Sequence, residues 1–119
     1  MNTWTASLLA FLTGAIFILV GYPLWRERVK PNLIYGFRTR QTLDDPAIWN
    51  PVNARSGRHL LVTGTILLLL GVVSIVFAHN EARQTAVVFV VVAVCIVGPI
   101  YSLIVCTRMA RQLAEEKGT

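Results

Sequence analysis

A chain of 119 residues that is 55% hydrophobic and only 14% charged is too apolar for an ordinary soluble domain, where charged residues make up about 25%. The mean hydropathy of +0.60 points the same way, to a membrane protein. The length leaves room for one domain, 1–119, and the net charge of +5 comes without a helix-turn-helix, zinc finger or aromatic-interleaved basic patch, so no nucleic-acid partner is expected.

The first apolar run, residues 5–24, holds no charge and would form a helix about 30 Å long, the thickness of a hydrocarbon core. Trp4 at one end and Tyr22 and Trp25 at the other suit the two membrane interfaces, which sets the first span at 5–25. No Lys or Arg precedes the run and the basic cluster follows it, which is the reverse of a signal peptide. The run therefore reads as a retained helix with a translocated N-terminus.

Residues 26–59 form a polar loop, and the second span follows at 60–78. Its helix is expected to begin inside the loop, because Asn50-Pro51 has the form of an N-cap and a first helical residue. Gly57, Gly64, Gly71 and Ala78 recur every seven residues, a stripe of small side chains on which a neighbouring helix can pack closely. A short polar turn, residues 79–84, leads to the third span at 85–107, rich in Val and Ile. Gly98-Pro99 is expected to interrupt and kink it, and residues 108–119 to form a short charged tail, a helical end that frays at Gly118. Cys95 and Cys106 read as buried thiols, with neither disulfide nor metal-ligand spacing.

The expected fold is all-α: three transmembrane helices with a motif-bearing loop between the first two. Ten of the eleven Lys and Arg residues fall in that loop or in the C-terminal tail, and Arg83 alone falls elsewhere. The positive-inside rule then places the N-terminus outside and both the loop and the C-terminus in the cytoplasm.

The loop concentrates the specific chemistry. Pro31-Asn32 marks a turn, and Tyr35-Gly36 pairs an anchoring ring with a residue free to take positive φ. Arg38 is followed six and seven residues later by Asp44 and Asp45, within reach for pairing. Asp45-Pro46 reads as a cap and the start of one interfacial turn ending at Trp49, whose ring would lie at headgroup level. Asn53 and Gly57 share a helical face. Two readings stand side by side. In one, Arg38 with Asn32, Thr39, Thr42 and Asn53 grips a polar ligand or partner. In the other, these groups satisfy one another's hydrogen bonds and dock the loop on the helices. The remaining bases Arg26, Arg28, Lys30 and Arg40 suit topology and anionic lipid.

No phosphate-binding Gly-rich loop, nucleophile elbow or His/Cys ligand spacing occurs, and no charge lies inside a span. Neither catalysis, nor a cofactor, nor a metal is therefore expected.

The run Pro31-Asn32-x-x-Tyr35-Gly36-Phe37-Arg38-Thr39, then Thr42-Leu43, Trp49, and Asn53 with Gly57, resembles the SdpI family of bacterial membrane proteins. The order of helix, motif loop, helix, helix matches as well, so the resemblance covers nearly the whole chain. It implies a multi-pass protein of the bacterial plasma membrane and, from the namesake role, immunity against a secreted membrane-active peptide toxin, exerted by binding. The lipid bilayer is the expected surrounding, and a peptide toxin or a cytoplasmic regulator the implied partner. Two other roles fit the residues: a small accessory subunit packed on a larger membrane complex, and a sensor that recruits a regulator to the basic loop.

Overall fold

The computed structural model of the protein describes residues 3–32, 35–38, 40–76 and 80–118. It contains four helices: α1 (Thr3–Trp25), α2 (Arg40–Asp44), α3 (Pro46–Val76) and α4 (Glu81–Gly118), with no strand among the described residues. α1, α3 and α4 are long and apolar enough to cross a membrane. The protein is all-α with three potential spans, as composition and run length predict.

α1 stops for a local reason. Glu27 takes a left-handed backbone conformation (φ 57°), Arg28 N–H donates to the Pro23 carbonyl at 2.9 Å, and Glu27 N–H donates to Leu24 at 3.1 Å. These paired bonds form a Schellman motif, here closed without the usual glycine.

α3 begins earlier than expected. The Asp45 carboxylate accepts from Ala47 N–H at 2.9 Å, and the Asp45 carbonyl accepts from Ile48 and Trp49 at 3.0 and 2.9 Å. Asp45 is thus the N-cap and Pro46 the first helical residue. Pro46 to Trp49 is no separate interfacial turn, and Pro51 lies inside the helix. The tandem pairs Asp45-Pro46 and Asn50-Pro51 both resemble helix starts. The first prevails because continuous helix puts Ile48, Trp49 and Val52 into the interior. Pro51 leaves only the Ala47 carbonyl without its helical donor, and exposed Ala47 can turn to water.

α4 opens with Asn80 as cap, its side-chain oxygen accepting from Arg83 N–H at 3.1 Å. The helix then runs through Gly98-Pro99 without a break, so the interruption does not occur, and on to Gly118, so the charged tail is a helical end as expected. The tail stays helical because Cys106 and Ala110, flanked by Met109, Leu113 and Ala114, form an apolar face against Ile48 and Val52 of α3. Ala78 of the expected stripe and His79 of the expected polar turn lie outside the described residues.

The central packing joins α1 to α3, antiparallel. A Cβ added at Gly64 would stand 2.7 Å from the Gly14 carbonyl oxygen, and one at Gly14 would stand 2.8 Å from the Gly64 carbonyl oxygen. Two turns along, a Cβ at Gly57 would stand 2.5 Å from the Gly21 carbonyl oxygen, and in the other direction one at Gly71 would stand 2.9 Å from the Phe11 ring. The seven-residue stripe of α3 therefore faces α1, and its counterpart on α1 is Gly14 and Gly21. Backbones this close gain dispersion contacts that larger side chains would prevent. Ala10, Leu67, Val87 and Val91 complete the interior of the three spans. At the end remote from the loop, buried Ser74 exchanges two bonds with Gln84, Oγ to Oε1 at 3.0 Å and Nε2 to the Ser74 carbonyl at 2.6 Å.

The result is a rod of 59 × 22 × 18 Å, whose long dimension is close to the ~57 Å expected of a 38-residue helix. A hydrocarbon core takes up about 30 Å of that length. At one end the start of α3, the end of α4, α2 and residues 26–32 and 35–38 are gathered beyond the apolar runs.

Candidate functional site: the polar knot at the loop end

Asn53 is the hub of this end. It sits on α3 with only 2% of its surface accessible. Its Oδ1 accepts from Phe37 N–H at 2.5 Å, and its Nδ2 donates to the Phe37 and Trp49 carbonyls, both at 3.1 Å. Both backbone groups of Phe37 are thus held by one amide, as a neighbouring strand would hold them. Thr42, fully buried on α2, donates to the same Phe37 carbonyl at 3.2 Å.

Gly36 makes this approach possible. Its φ is 109°, and a Cβ there would stand 2.7 Å from Asn53 Oδ1 and 3.2 Å from the Trp49 ring. Only glycine meets both requirements. Trp49 is fully enclosed, and its indole N–H donates to the Val29 carbonyl at 2.7 Å. It is an interior anchor for the chain leaving α1, enclosed by protein and not exposed as an interfacial ring would be. Tyr35 O–H donates to the Val20 carbonyl of α1, and burial pushes its phenol above the ordinary value. Asn32 caps a local turn, accepting from Tyr35 N–H at 2.6 Å and donating to the Lys30 carbonyl at 2.8 Å. Gly57 lets α3 pass against the end of α1.

Asn32, Tyr35, Gly36, Thr42, Trp49, Asn53 and Gly57 thus act together to tie a nonhelical segment to α1 and α3. Thr39 lies outside the described residues. Arg38 differs from the rest. It is exposed, and among the described residues it has no ion pair. Asp45 pairs instead with Lys117 at the end of α4, at 2.6 Å. Lys117 and the Ala47 N–H hold the Asp45 carboxyl below the usual carboxylate range. The expected pairing of Arg38 with Asp45 fails because α4 continues far enough to bring Lys117 there first. The knot thus fixes the backbone of Phe37 and leaves the next side chain, Arg38, projecting.

Sequence reasoning missed Phe37, the residue on which three polar contacts converge. Its role runs through backbone atoms, which leave no trace in side-chain chemistry. It also missed Gly14 and Gly21, whose seven-residue spacing matches that of α3 and was the available signal.

A second polar feature lies between α3 and α4 beside the knot. His59 Nδ1 is 2.9 Å from Ser102 Oγ, and its ring is tilted against Tyr101 with centroids 5.5 Å apart. An open cleft of about 350 Å³ follows, with Arg55 and Arg58 on its rim.

Among known proteins, no curated sequence and no solved structure shows significant similarity to this chain. The profile of the SdpI/YfhL protein family, however, matches residues 28–104. That stretch contains the knot residues, both Arg residues of the cleft, all of α3 and most of the apolar run of α4. The chain belongs to the SdpI/YfhL protein family.

Proposed function

We propose that this protein protects a bacterial plasma membrane against a secreted, membrane-active peptide toxin, acting by binding and not by catalysis. Family membership over residues 28–104 is the observation that carries this reading. In the proposed orientation the N-terminus lies outside, and the loop end and C-terminus lie in the cytoplasm, since ten of eleven basic residues gather there. The knot's own polar groups are committed to backbone partners, so the contact offered to a cytoplasmic regulator or to the toxin-bound state is Arg38 and the surface around it.

A second reading, an accessory subunit on a larger membrane complex, is favoured by α4. Little of its apolar stretch is buried, and Phe89, Val97 and Leu103 are all more than half exposed.

The test is protection of a toxin-sensitive strain, with membrane levels matched by immunoblot. Wild type is expected to protect. Arg38→Ala and Arg38→Lys are expected to reach the membrane equally and protect less, because Lys lacks the planar fork that makes bidentate bonds. No protection by wild type against any family-type toxin would overturn the immunity reading. Full protection by both variants would remove Arg38 from it.

A further inference from the structure

We propose that the cleft between α3 and α4 is a binding site for the headgroup of an anionic phospholipid. The argument starts from spacing. Arg55, Arg58, His59 and Val62 lie at i, i+3, i+4 and i+7 on α3 and so share one face. Opposite them on α4 stand Gly98 and Tyr101, also one turn apart. The two helices approach closely at Gly98, where an added Cβ would stand 2.9 Å from Thr63 Oγ1. From that contact toward the loop end the space between them opens into about 350 Å³.

The chemistry of the lining is one-sided. It carries two guanidiniums, an imidazole, a threonine and a tyrosine, and no carboxylate. Among the described residues neither Arg55 nor Arg58 has an ion pair, and both are exposed. Two guanidiniums brought to one cleft repel each other unless an anion lies between them, and their planar forks match phosphate oxygens. His59 is already committed to Ser102, which orients its ring at the back of the site.

Depth identifies the source of the phosphate as lipid. Residues 60–76 contain no charge, so Arg58 and Arg55 sit just past the end of the apolar run, where headgroups lie. Tyr22 and Trp25 mark the same level on α1, and the Arg26 guanidinium lies 5.8 Å from the Trp25 ring centroid. Away from the Arg residues both walls of the cleft continue into the apolar surface of their helices. Val62 is 53% exposed and Tyr101 60%, both inside the apolar part of their helices. A ligand with an anionic head and acyl tails fits that junction, and a free phosphate would leave its apolar half empty. Basic pockets between spans are a recurrent way of holding such headgroups.

The experiment is native mass spectrometry of the full chain in detergent, titrated with phosphatidylglycerol, with phosphatidylcholine and inorganic phosphate as separate arms. Wild type is expected to retain one phosphatidylglycerol and to bind it more tightly than phosphatidylcholine. Arg55→Gln with Arg58→Gln is expected to weaken that binding roughly thirtyfold, taking each Arg at its usual contribution near an anionic surface. The control, Arg108→Gln with Arg111→Gln, removes the same charge from exposed positions at the same end of the rod but outside the cleft lining, and is expected to leave binding within about threefold of wild type. Equal loss in the control would mean diffuse attraction and overturn the site. So would unchanged binding in the Arg55/Arg58 variant, equal affinity for phosphatidylcholine, or inorganic phosphate competing as well as lipid. If the double variant loses helical content, Arg55→Gln and Arg58→Gln singly replace it, and wild-type affinity in both overturns the proposal.

Discussion

Asn53 makes three hydrogen bonds with one amide, all to backbone atoms of Phe37 and Trp49. The amide accepts from the Phe37 N–H and donates to its carbonyl at once, which the isosteric carboxylate of Asp, an acceptor only, could not do. Asn53→Ala leaves the Phe37 N–H and carbonyl without this partner in a partly buried place, which costs about 1–3 kcal/mol. Gly36→Ala adds a Cβ against Asn53 Oδ1 at a backbone conformation reserved for glycine, at a cost of about 1–3 kcal/mol as well. Both variants are expected to lower the thermal midpoint in detergent. Because both act on the same contact, the double variant is expected to lose less than the sum of the singles. Full additivity would show that Gly36 and Asn53 act independently.

Between α1 and α3 the glycines meet backbone to backbone, so a side chain at Gly64 would run into the Gly14 carbonyl and Ile18, neither able to retreat without moving α1. At Gly71 the obstacle is the Phe11 ring, which can rotate away. Leucine is a better helix former than glycine by roughly 0.8 kcal/mol, so any loss must come from sterics. Gly64→Leu is therefore expected to lower the thermal midpoint strongly and Gly71→Leu less. An unchanged midpoint for Gly64→Leu would remove α1 from contact with that stripe.

The whole molecule is a rod with its basic charge at one end and its apolar surface along the middle. Its orientation in a bilayer follows from that asymmetry and is open to direct measurement. In a background of Cys95→Ala and Cys106→Ala, a cysteine at Glu81 is expected to react with an impermeant thiol reagent on whole cells, and one at Asp44 to react only after the membrane is opened. Both positions are exposed, so access is limited by the membrane and not by the fold. Labelling of position 44 from outside would reverse the orientation and move the knot and Arg38 to the external face.

The number of spans, their approximate places and the existence of a structured loop were legible in the sequence because each depends on composition within one continuous stretch. A run of some 20 apolar residues has no alternative to helix in lipid, whatever it packs against. The glycine stripe was legible for the same reason, being a periodicity within one helix. What only the tertiary structure decided were the matters that depend on two distant stretches at once. The choice between Asp45-Pro46 and Asn50-Pro51 as the start of α3 turned on whether Ile48, Trp49 and Val52 would find an interior, which Cys106 and Ala110 help to supply. The partner of Asp45 was set by α4 continuing to Lys117. The burial of Trp49 depended on the chain after α1 turning back to offer the Val29 carbonyl. Each of these outcomes belongs to a contact between residues far apart in the chain, and such a contact has no local signature because its free energy exists only once both halves are in place.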